Sequence, residues 1–195
     1  MVVTADTAGR RADRIESLLS ARLFVEPQLT GDRLTFASNL AGHLSLFAMS
    51  ASGGVPEPLL PPQIALQNPE LVGGHLFHVL PRLEQIVVML DSDGDENYVP
   101  HVVPLEGGFP EPLAESAFAG GRAHLVDVDD AAEIAYFAVE SRVVSSIAAV
   151  RVELSTGETE TLMASSARFG RTGRWGCSWS AGRSDGTAPP APWPS

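Results

Sequence analysis

Lysine is absent from the 195 residues, and all 13 basic side chains are arginine. We read that as a coding bias, not as chemistry. Cysteine is nearly absent too: Cys177 stands alone, so no internal disulfide can form. No apolar run approaches the roughly 20 residues that a membrane-spanning helix needs. The opening segment, MVVTADTAGRRADRIES, lacks the apolar core of a secretory signal, so the expected location is the cytoplasm. Basic charge is also scarce. A formal net charge of −11 argues against a phosphate-binding surface and so against nucleic acid as a partner.

The charge that is present is unevenly spread. Residues 165–195 hold one acid, Asp185, against four arginines, Arg168, Arg171, Arg174 and Arg183. All three tryptophans and the cysteine fall in the same stretch, which ends APPAPWPS. No clear strand period runs through it. It reads as an irregular tail, either out-of-frame or truncated coding, or a Pro-rich disordered end.

The rest of the chain is organised by a repeat. GGVPEPL begins at Gly53 and GGFPEPL at Gly107, an offset of 54 residues. Carried backwards, that offset aligns RLTFASNLAGHLSLFAMSASGG with VVMLDSDGDENYVPHVVPLEGG without a gap, and Pro27 with Pro81. A weaker third copy, from Ala135, follows the second at an offset of 49. Units of about 50 residues match the longer propeller-blade periods.

Within a unit the pattern is β. Leu34 and Phe36 alternate with Arg33 and Thr35, and after a turn Leu44, Leu46 and Ala48 alternate with Ser45, Phe47 and Met49. The GGxPEPL segment supplies a further turn, and a strand is expected around His75 to Leu80. The expected fold class is therefore all-β: an incomplete propeller of about three four-stranded blades over residues 23–66, 67–118 and 119–164. The tail at 165–195 follows. The stripe Ile15, Leu18, Leu19 and Leu23 predicts a short amphipathic helix in the N-terminal segment, residues 1–22, packing on the first blade.

These residues carry a resemblance. ADRIESLLSAR, PQLTGDRLTFASNLAGHLSLFAMSASGGVPEPLL and DSDGDENYVPHVVPLEGGFPEPL together resemble the N-terminal propeller of the prolyl oligopeptidase family of serine peptidases. The likeness covers about residues 12–163, with Thr30-Gly31-Asp32 replacing the family's usual Ser-Pro-Asp-Gly-like turn. Related blades occur in TolB-like scaffold propellers. The resemblance implies a propeller of about seven or eight blades that filters peptide substrates for a C-terminal α/β-hydrolase domain. That domain would carry a Ser-Asp-His triad on a G-x-S-x-G elbow. Here it is missing. Three blades cannot close a ring, so self-association through exposed blade edges is expected.

Candidate chemistry is sparse. GCSWSAG, Gly176 to Gly182, fits the elbow in neither register: Ser180 takes the last glycine position for Ser178, and Ser178 the first for Ser180. No histidine follows His124. No catalytic residue and no cofactor site is therefore assigned. His75 and His78, three apart on a strand, point to opposite faces and chelate poorly. His43 and His101 offer no more. In DSDGDEN, Asp91, Asp93 and Asp95 match the first acids of an EF-hand loop, but Glu96 takes the glycine position and Val102 the closing glutamate position. Asp93-Gly94 instead marks a hairpin turn, with weak cation binding as the minor alternative.

Overall fold

The computed structural model describes residues 22–68, 73–91, 97–141, 145–169 and 175–181, with side chains through residue 165. They form three antiparallel sheets. Sheet A holds β1 (Phe24–Thr30), β2 (Arg33–Ser38), β3 (Ser45–Ser50) and β4 (Glu57–Pro58). Sheet B holds β5 (Phe77–Leu80), β6 (Gln85–Asp91), β7 (Tyr98–Pro104) and β8 (Glu111–Pro112). Sheet C holds β9 (Gly121–Asp129), β10 (Ile134–Ser141), β11 (Ser146–Glu153), β12 (Thr159–Phe169) and β13 (Trp175–Ala181). Each sheet is a meander in which every strand pairs with its neighbour in sequence. A single helical turn, α1 (Glu115–Phe118), leads into β9.

The repeat seen in the sequence is a repeat of strands. Shifting β3 and β4 by 54 residues lands on β7 and β8, and shifting β6 and β7 by 49 lands on β10 and β11. Even the backbone of the GGxPEP turn recurs: φ is 105° and 148° at Gly53 and Gly54, and 89° and 149° at Gly107 and Gly108. Glycine is needed there because side-chain-bearing residues rarely adopt those angles.

Packing explains the apolar run IVVML. Ile86, Val88 and Leu90 of β6 enter a core shared with sheet A, while Val87 and Met89 enter a second core shared with sheet C. A strand covered on both faces must be apolar at every position, which hides the period-two signal. Sheet B is thus the middle layer, and the three sheets stack without closing a ring.

The first strands of the sheets stand side by side. Gln28 on β1 donates from Nε2 to the Phe77 carbonyl at 3.0 Å and accepts from the Val79 amide at 3.0 Å. The Leu76 amide donates to Glu26 Oε2 at 2.9 Å. Between sheets B and C the His75 amide donates to the Leu125 carbonyl at 2.7 Å. Side chains and single bonds, not a ladder, join one blade's inner strand to the next.

The expected N-terminal helix lies almost wholly in residues 1–21, outside the described residues, and Leu23, the last of its stripe, stands just before β1. The irregular tail was expected from residue 165, yet β12 runs on to Phe169 and β13 pairs along it from Met163↔Ala181 to Phe169↔Trp175. Its small and aromatic residues are compatible with a strand, and pairing against β12 overrides their weak periodicity. Residues 170–174 and 182–195 lie outside the described set.

Candidate functional site

The acidic turn comes first. β6 and β7 pair from Gln85↔Pro104 through Asp91↔Tyr98, so DSDGDEN joins the two strands of one hairpin. The turn reading of the sequence is thereby supported on both flanks. Asp91 closes the ladder, while Asp93 and Asp95 lie outside the described residues. Among the described residues, no three His, Cys, Asp or Glu side chains come together as a metal site.

The histidines divide between the two blade junctions. His75 turns toward sheet A, with Nδ1 3.9 Å from Glu26 Oε2. His78 turns toward the opposite side and meets Asp130 Oδ1 at 2.8 Å. They do point apart, as their spacing requires. His43 Nε2 lies 3.2 Å from the Ile64 carbonyl and His101 Nδ1 3.0 Å from that of Val99, so both serve local backbone.

The arrangement that sequence reasoning passed over surrounds His124. On β9, Arg122 and His124 alternate with the core residues Ala123 and Leu125. The β9–β10 register sets Arg122 opposite Glu140 and His124 opposite Ala138. These side chains, with Val126, Ile147 and the backbone of Gly73 and Gly74, line a cleft of about 430 Å³ on the outward face of sheet C. His124 Nε2 stands 3.7 Å from Glu140 Oε1, and its buried Nδ1 has no hydrogen-bond partner. Burial lowers its pKa below 6.5, and Arg122 pushes the same way; Glu140 opposes both. The Arg122 guanidinium lies 5.5 Å from the centre of the Tyr98 ring, a cation–π contact. No relay to a hydroxyl runs from Nδ1, so the cluster is not a hydrolytic triad. The pairing became visible only once the strand register was known, because Glu140 is 16 residues from His124.

Of GCSWSAG, Gly176 to Ala181 lie in β13, where the backbone continues the sheet without the sharp turn a nucleophile elbow needs at Ser178 or Ser180; Gly182 lies outside the described residues. Among the described residues no helix is long and apolar enough to cross a membrane.

Fold and site define a class: an open stack of propeller blades, three meander sheets deep, with no assembled catalytic group among the described residues. No protein-family model matches the chain, and no curated protein does either. Solved structures do. A puromycin hydrolase superposes with a TM-score of 0.57 at 18% identity, over 72% of this chain and 20% of its own. A puromycin-hydrolyzing peptidase of Mycobacterium tuberculosis gives 0.57 at 16%, over 72% of this chain and 21% of its own. A structure from a study of two prolyl endopeptidases gives 0.54 at 14%, over 84% of this chain and 25% of its own. The chain has the fold of a propeller segment of such enzymes, and spans a fifth to a quarter of their length.

Proposed function

We propose that this chain is the N-terminal propeller portion of a prolyl oligopeptidase-like serine peptidase or related hydrolase of the cytoplasm. Its blades gate or scaffold the approach of a peptide substrate to a C-terminal α/β-hydrolase domain that supplies the triad. By itself the chain is not catalytic. The observation that carries the reading is the agreement between two independent likenesses. The motifs of residues 12–163 resemble that family's propeller, and the folded sheets superpose on peptidase and hydrolase chains over 72–84% of this chain.

The coding DNA beyond codon 164, read in all three frames, tests it. Further units of about 50 residues followed by G-x-S-x-G with a later Asp and His are expected. Blades followed by a stop, with no hydrolase, would instead favour a non-enzymatic, TolB-like protein-binding propeller. A fluorophosphonate probe gives a second arm: it should leave this chain unlabelled, and labelling at Ser178 or Ser180 would sink the inert reading.

A further inference from the structure

Phe109, on the GGFPEP turn of sheet B, is 74% exposed. The blade does not need an apolar residue there, because the offset of 49 puts Glu158 at the same place in sheet C. The turn lies against the return that follows β4 of sheet A. The Gly108 amide donates to the Leu59 carbonyl at 3.0 Å, and a Cβ on Gly107 would stand 2.9 Å from that oxygen. Between turn and return runs a groove of about 360 Å³. Pro58, Pro61 and Pro62 wall one side and Gly107 to Phe109 the other, over the buried Leu59 and Leu60.

Stacking does not cover this groove. Its walls belong to two sheets already packed on each other, and a further blade would add to the outward face of sheet A or sheet C. Nor does an attached domain reach it. Sheet A takes in the chain beside Ser38 and sheet B beside Val88, the end at which the acidic turn lies, and four strands return the chain to that end. The Phe109 turn stands at the other end, so a hydrolase domain joined to such returns leaves the groove open.

The lining names the occupant. Proline rings and a phenyl ring offer flat apolar faces, which suit an aromatic side chain. Around them Glu57, Glu106 and Glu111 are exposed, and the neighbouring cation, Arg33, is engaged with Glu106 at 2.8 Å. We propose that this groove at the junction of sheets A and B docks an extended peptide segment in which basic residues flank an aromatic one. The aromatic ring lies between Phe109 and the prolines, and the basic side chains meet the three glutamates. Turn and return are bonded to each other beforehand, so binding orders only the peptide. The site is small, and a Kd of about 10–500 µM is expected. The groove stands whether or not the peptidase reading holds.

Fluorescence anisotropy of a labelled Arg-Arg-Trp-Arg-Arg peptide, titrated with the full chain, tests it. Saturable binding is expected, weakened about fivefold or more when Ala replaces the peptide's Trp and abolished when Glu replaces its Arg residues. Phe109→Ser should weaken binding about fivefold, and Glu111→Gln about twofold with a shallower salt dependence. Both side chains are exposed, and circular dichroism checks that the variants fold. Val55→Ser, on the matching turn of sheet A, should leave binding unchanged. No binding at about 1 mM would overturn the proposal. So would equal binding of the Ala peptide, or indifference to Phe109→Ser, either of which would mean diffuse attraction to an acidic surface. Self-association of the chain that Phe109→Ser abolishes would also overturn it, by making a second copy the occupant.

Discussion

At Gly74 the backbone turns with φ +102°, and the chain passes so close to β9 that a Cβ there would lie 2.5 Å from the Leu125 carbonyl oxygen. That oxygen also accepts the His75 amide, so the contact cannot relax without loosening the junction of sheets B and C. Gly74→Ala should therefore cost about 2–4 kcal/mol, combining backbone strain with a clash against backbone. Gly31 makes a useful contrast: its φ is +60° and nothing lies within 4 Å of the added atom. Gly31→Ala should cost about 1 kcal/mol, the strain of the left-handed region alone. Urea midpoints of the two variants check the difference, and equal losses would refute the close-approach account. His124 makes a second residue-scale prediction. Its folded pKa is lowered, so the unfolded chain binds the proton more readily. Stability attached to neutral His124 is full above pH 6.5 and is lost as pH falls through the folded pKa. Glu140 and Arg122 are the charged groups that face it, and the cleft holds both. His124→Gln should flatten the acid-side fall in melting temperature between about pH 7.5 and 5.5. An unchanged slope would mean that other groups carry it.

The elements show how far the sequence was legible. Hairpins are local, and their turns carry strong chemistry, so β2–β3, β6–β7 and the GGxPEP returns could be placed from Gly, Asn and Asp alone. The double burial of β6 could also be suspected from five apolar residues in a row. What the sequence hid is non-local. Gln28 clasping the backbone of β5, and His124 meeting Glu140, both depend on which strands lie side by side. The tail was hidden for a different reason: β13 carries Gly, Ser, Trp and Cys in no alternating order, and only its partner β12 makes it a strand. The acidic turn yields a prediction at this scale. The hairpin flanking it is closed by the Asp91↔Tyr98 pair, and its repeat partner ASNLAGH turns with no acid at all. Clustered carboxylates repel one another, so Asp93→Asn with Asp95→Asn should leave the melting temperature unchanged or raise it slightly. Calcium at millimolar levels should not shift the parent chain; a rise of several degrees that the double variant abolishes would establish a cation site.

Across the whole molecule, stability follows the order of the stack. In a row of repeats each unit is held by its own folding and by its contacts with neighbours. Sheet B has a neighbour on both faces, and Val87, Val88 and Met89 at its centre are fully buried between the two cores. On the outward face of sheet A, Phe36 and Phe47 are buried and stack with ring centres 6.2 Å apart, while Phe24 and Leu29 on the edge strand of that face stay open. Sheet C has one covered face and one open one. Local opening should therefore begin in sheet C, and native-state hydrogen exchange should rank the β6 amides slowest, those of β2 and β3 next, and those of β11 and β12 fastest. Slow exchange in β11, equal to that in β6, would show the three sheets opening as one cooperative unit and would refute the ranking.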